Sequence, residues 1–158
     1  MLVRRIARPL LSSIFLFGGL DAVRHPAGKV DQAETVGASR IAASVGLHGA
    51  EDLIRANGIA QVLGGLALVT NRVPRLAALG LAASLVPTTF AGHRFWEEQG
   101  SARAMQQTQF AKNLSLLGGL LIAAVDTEGK ESVRRRVRRR AHDVATAMPV
   151  GGTPLSSR

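Results

Sequence analysis

The amino-acid sequence predicts an all-α protein: a membrane-embedded four-helix bundle with both termini cytoplasmic. Three observations lead there. Four windows, 9–20, 56–71, 76–92 and 113–125, contain no Asp, Glu, Lys or Arg, although 20% of the chain is charged. The chain also holds 17 glycines but only 4% aromatic residues and no tyrosine, a poor recipe for a water-soluble helical core. Finally, the net charge of +9 gathers at one end of the topology that these windows imply.

At 158 residues the chain has the length of one domain. The windows are 12, 16, 17 and 13 residues long, short of the roughly 20 that span a bilayer. Their flanks close the gap, because Arg8, Arg75 and Arg94 can lay their stems along apolar surface and keep their heads in the interface. A soluble bundle would instead carry a charged stripe at every third or fourth residue. These windows have none. Glycine, costly in a helix in water, is common in membrane helices because it lets backbones approach.

The elements follow in order. The first helix is expected at about 6–23. "MLVRRIARPLLSSIFLFGGLDA" also has the basic start and short apolar run of a signal peptide, but no clean cleavage site follows Leu20, so a retained helix is the preferred reading. Residues 25–55 form a loop outside the membrane in which Ile41, Val45, Leu53 and Ile54 offer a weak apolar face. The second and third helices are expected at 54–71 and 75–93, joined by the turn "TNRVPR". The fourth is expected at 112–126, which completes a transmembrane domain over 1–130. Beyond it, 131–158 reads as a basic, partly disordered tail whose Arg134, Arg135, Arg136, Arg138, Arg139 and Arg140 face lipid. No aromatic residue interleaves these arginines, which argues against nucleic acid as a partner.

Thirteen of the 20 Lys and Arg fall in the N-terminal flank, the "TNRVPR" turn and the tail. By the positive-inside rule this side is cytoplasmic, and a multi-pass protein of a bacterial inner membrane is expected. On the opposite side the helix ends carry Asp21 and His25, Asn57 and Gln61, Thr88, Thr89 and His93, and Lys112 and Asn113. Polar groups at membrane depth are functional candidates, so these nine residues form a candidate polar pocket. Each also has a plainer account: Lys112 can snorkel, Asn57 or Asn113 can cap a helix, and His93 beside Trp96 can anchor at the interface. Glycine pairs Gly18/Gly19, Gly64/Gly65 and Gly118/Gly119 are expected to pack the helices. No catalytic residue is assigned and no metal site is read. The absence of cysteine excludes thiolate and iron–sulfur chemistry within the chain.

"FLFGGLDAVRHP", "NGIAQVLGGLAL", "RLAALGLAASLVPTTFAGHRFWEE" and "FAKNLSLLGGLLIAAVDTEGK" together resemble the DoxX family of small bacterial membrane proteins, over about 4–130. The resemblance implies four transmembrane helices. It also implies a place in redox or sulfur metabolism, since the family takes its name from likeness to a subunit of a thiosulfate–quinone oxidoreductase. Many relatives carry an acid where this chain has Gln61, so a titrating carboxylate there is not expected.

The expected function is therefore a subunit or scaffold of a membrane oxidoreductase system; no cofactor is firmly assigned, and quinone is the candidate ligand for the outer polar cluster. The partners are membrane lipid and soluble or membrane redox proteins. The alternative is a lipid- or small-molecule-binding membrane module with no redox role. The charge asymmetry makes a direct prediction. A phosphatase or fluorescent reporter fused after Arg158 should report a cytoplasmic location, and an external reading would invert the two faces.

Overall fold

The computed structural model describes residues 2–126. The chain divides after Val125 into a unit Met1–Val125 and a second unit, Asp126–Arg158. The basic tail and its six arginines lie outside the described residues. Among the described residues every regular element is helical.

Four long helices dominate: α1 (Leu2–Arg24), α4 (Ala50–Val69), α5 (Pro74–Gly92) and α6 (Gly100–Val125). At 23, 20, 19 and 26 residues each is long and apolar enough to cross a membrane. The uncharged windows understate them because charged residues continue α1 at both ends and α4, α5 and α6 at their N-terminal ends. Between α1 and α4, in the expected loop, lie a 3₁₀ turn (Ala27–Lys29) and two short helices, α2 (Val30–Glu34) and α3 (Ala38–Ser44). Gly37, at φ 74°, separates α2 from α3 in a left-handed conformation open to glycine.

Boundaries shift from the sequence-based expectations for physical reasons. α4 starts at Ala50, behind Glu51 and Asp52, which favour the positive end of a helix dipole. Ile54 is therefore a buried residue of α4, whereas Ile41 and Val45 remain exposed. The largest shift is in α6, which begins at Gly100 rather than near 112. Gln106, Gln107 and Gln109 are good helix formers, and nothing in 100–111 breaks the helix. Lys112 and Asn113 consequently sit in mid-helix and cap nothing. Asn57 likewise lies two turns inside α4.

The helices run antiparallel in the lateral order α1–α4–α5–α6. Paired contacts show the directions: Gly19 against Gly58 with Leu16 against Gly65, Ser84 against Asn57 with Leu81 against Gly64, and Thr89 against Asn113 with Arg75 against Ala124. The core is built from small residues. Phe15, Leu68, Leu81, Leu85 and Leu120 interlock with Ala77, Ala78, Ala82 and Ala124. Large apolar side chains instead point outward, among them Leu10, Phe17, Leu63, Leu76, Leu121 and Ile122. That inversion suits a solvent of hydrocarbon and is untenable in water.

Glycines set the closest approach. A Cβ on Gly19 would lie 2.7 Å from the Gly58 carbonyl oxygen, and a Cβ on Gly58 would lie 2.7 Å from that of Gly19. A Cβ on Gly64 would stand 3.0 Å from Leu81 of α5, and one on Gly65 would stand 2.9 Å from Leu16 of α1. Of the expected packing pairs, Gly18 and Gly118 do not take part: nothing lies within 4 Å of a Cβ at either. Adjacent helical residues point about 100° apart, so one member of a pair must turn from a neighbour that the other meets. Gly58, unpaired in sequence, does the work instead.

Gly58→Ala should therefore destabilise the bundle by about 1–3 kcal/mol, the usual cost of overpacking. Gly118→Ala should change stability by less than about 0.5 kcal/mol, because its methyl meets open space. Thermal unfolding of both variants in detergent checks the pair.

Candidate functional site

The nine candidate polar residues, at the end of the bundle where α1 and α5 finish, do not converge on one pocket. They divide into separate groups, each with its own geometry.

The first group is at the end of α1. Asp21 accepts from Lys29 Nζ at 2.5 Å and lies 3.0 Å from His25 Nδ1. These side chains are largely exposed, so they close the α1 end against its following turn rather than line a cavity.

The second group crosses α4 and α5 inside the bundle. Gln61 Nε2 donates to Ser84 Oγ at 2.9 Å, and Ser84 Oγ donates to Asn57 Oδ1 at 2.8 Å. Asn57 and Gln61 are one turn apart on α4, and so grip the same hydroxyl from above and below. Gln61 is buried, and a Cβ on Gly19 would stand 3.0 Å from its Cβ. The glycine thus admits the stem of the side chain whose amide ties α4 to α5. Ser84 is the member that sequence reasoning missed. Its only signal is a hydroxyl in a helix facing an Asn and a Gln four residues apart.

The third group joins α5 to α6. Asn113 Nδ2 donates to Thr89 Oγ1 at 3.1 Å, and Thr89 Oγ1 donates to Leu85 O at 2.7 Å. Thr88 turns its hydroxyl back on the Ser84 and Leu85 carbonyls, serving its own helix just after Pro87 has removed a backbone donor. His93 Nδ1 and Gln106 Oε1 are 2.8 Å apart and fasten the end of α5 to α6. Lys112, by contrast, is exposed and donates to Gln109 one turn earlier in its own helix. It does not face Asn113's partner.

Four of the chain's six aromatic rings gather over this third group. Phe110 meets Phe90, Phe95 and Trp96 edge-on, with centroids 5.7, 5.4 and 6.2 Å away. Phe95 and Trp96 are 5.2 Å apart, so the connection after α5 is folded down onto α6. The cluster was legible only in part, because Phe110 was expected to precede its helix and not to lie within it. Beneath it is a half-open pocket of about 50 Å³ lined by Leu85, Val86, Thr89, Phe90, Phe110, Asn113, Leu114 and Leu117. Its surface is almost wholly apolar, and Thr89 and Asn113 are the two polar residues in its lining. Asn113 uses one amide hydrogen on Thr89, leaving the second hydrogen and the Oδ1 lone pairs for another group. Among the described residues no three His, Asp or Glu come together to hold a metal ion.

Four apolar spans, apolar side chains turned outward and hydrogen bonds turned inward define an integral membrane protein of four helices. The chain belongs to the DoxX family: the DoxX family model matches residues 3–94, more than half of its 158. The match takes in α1 to α5 and stops before α6, so the element resembling the family at 110–121 lies beyond it. No curated protein and no solved structure matches the chain.

The interhelical hydroxyl has a measurable weight. Ser84→Ala leaves Asn57 Oδ1 and Gln61 Nε2 without their partner and should cost about 0.6–2 kcal/mol in detergent unfolding. Ser115→Ala should be neutral, since the Ser115 hydroxyl bonds only to Ala111 O on an exposed face of its own helix.

Proposed function

We propose that this protein is a non-catalytic subunit or scaffold of a membrane-associated oxidoreductase system, and that the α5–α6 pocket receives the edge of a quinone ring. It resides in a bacterial cell membrane with both termini cytoplasmic, and electrons pass through centres on its partner. The observation that carries the reading is the Thr89–Asn113 pair in the lining of an almost wholly apolar pocket that also includes Phe90 and Phe110. A quinone needs a flat apolar wall for its ring and a hydrogen-bond donor for a carbonyl. The free amide hydrogen of Asn113 is such a donor, and the aromatic edges are such a wall. The pocket is too small to enclose the ring, so one carbonyl edge enters and the isoprenoid tail stays in lipid. The family's likeness to a quinone-linked oxidoreductase subunit supports the same direction.

A second reading, a lipid-binding module with no redox role, is favoured by the six apolar members of the lining. One experiment separates the two. Trp96 is the sole tryptophan, there is no tyrosine, and its ring touches both Phe90 and Phe110. A short-chain ubiquinone titrated into the detergent-solubilised protein should quench Trp96 emission saturably, and Asn113→Leu should weaken binding about 5- to 10-fold through loss of one hydrogen bond. Quenching that rises linearly without saturation, or is unchanged in Asn113→Leu, would remove the quinone site and leave the lipid module.

A further inference from the structure

Lys112 is left over by everything above. It is an exposed lysine whose sole hydrogen bond is to Gln109, and no carboxylate lies within ion-pair distance of it among the described residues. The carboxylate at the outer end of α1 is occupied, because Asp21 is held by Lys29 and His25. Glu97, in the connection after α5, is held by Arg94.

Its depth and direction follow from helix register. Asn113 bonds to Thr89, three residues before α5 ends at Gly92, so the Lys112 backbone lies about one turn below the outer end of the bundle. The side chain bonds to Gln109, one turn nearer that end, which lifts the ammonium to headgroup depth. Gly119, seven residues further along α6, shares nearly the same helix face. A Cβ there would stand 3.4 Å from Leu11 Cδ1, so that face looks toward α1. Seven residues outward from Leu11 on the antiparallel α1 is Gly18, where nothing lies within 4 Å of a Cβ. The α1–α6 seam therefore closes at Leu11–Gly119 and stands open toward Gly18 and Lys112.

We propose that this open seam holds one anionic phospholipid, its phosphate on Lys112 Nζ and Gln109 Nε2 and an acyl chain lying against Gly18 down to Leu11. Charge decides the occupant. A lone ammonium at headgroup depth on a lipid-facing seam takes its counter-charge from the membrane, and Gln109, whose Oε1 serves Lys112, keeps its Nε2 hydrogens for phosphate. Gly18 has a reason of its own, since any side chain there would stand in the chain's path. The site lies on the opposite flank of α6 from the Thr89–Asn113 pocket and does not rest on the quinone reading.

The test uses the full chain in nanodiscs of phosphatidylcholine and phosphatidylglycerol at about four to one, released into a mass spectrometer with its bound lipid. One phosphatidylglycerol per chain should be retained above its bulk share. Lys112→Gln should reduce that retention about fivefold, which corresponds to about 1 kcal/mol per cation near the surface. Lys112→Arg should keep the lipid, and Gly18→Phe should lose it at unchanged charge, with Trp96 emission confirming the fold in each variant. Equal retention in Lys112→Gln would overturn the proposal. So would loss of the retained lipid when Arg134, Arg135, Arg136, Arg138, Arg139 and Arg140 are all changed to Gln, because the tail would then be its holder.

Discussion

Gly19 and Gly58 bring the backbones of α1 and α4 into direct contact, each occupying the place where the other's side chain would be. In a bilayer no hydrophobic force drives helices together, since lipid tails are as apolar as leucine; close packing and interhelical hydrogen bonds must do it. The Gly19–Gly58 crossing supplies the packing and also makes the hydrogen bonds reachable. Gln61 stacks its stem on Gly19 while its amide crosses to Ser84 of α5. One crossing thus sets the position of α4, and α4 sets the position of α5. From there Thr89 meets Asn113 and Arg75 Nε donates to Ala124 O at 2.9 Å, which fixes α6 at its middle and at its C-terminal end.

The consequence is an uneven bundle. α1 and α4 form the most extensively packed pair and α5 packs on both α4 and α6, whereas α6 itself buries only Leu120 and Ala124 and leaves much of its surface exposed. Ligand-accessible features lie where α6 is one wall: the aromatic-lined pocket on its α5 side and the open seam on its α1 side. Polar groups in the interior of the bundle are satisfied by bonds between and within these helices. Ser12 Oγ is the one exception among buried side chains of the described residues.

Fold class and span number were legible because they rest on composition over long windows: charge exclusion and outward apolar surface need no knowledge of partners. Pairings were not. Which glycine of a pair packs depends on the rotation of its helix, and nothing local separates Gly18 from Gly19. Gly58 carries no doublet to advertise it. The nine polar candidates share one end of the bundle, as the topology implied, but a common depth is not a common pocket, because helices at the same height face different neighbours. Lys112 and Asn113 are adjacent in sequence and about 100° apart in space. Asn113 turns to Thr89 of α5, whereas Lys112 stays exposed and bonds within its own helix. The charge-free window also misplaced the start of α6, since a helix emerging from a membrane continues through glutamine and arginine without interruption.

The chain has no cysteine, so introduced pairs report contacts without background. The most direct test of this helix arrangement is disulfide formation in native membranes between Thr89→Cys and Asn113→Cys, compared with Gly18→Cys and Gly80→Cys. The first pair replaces side chains in hydrogen-bond contact across α5 and α6 and should cross-link rapidly under mild oxidation. The second pair occupies two positions with open surroundings on α1 and α5 and should remain reduced. A cross-link in the second pair and none in the first would contradict the order and rotation of the helices on which the whole account stands.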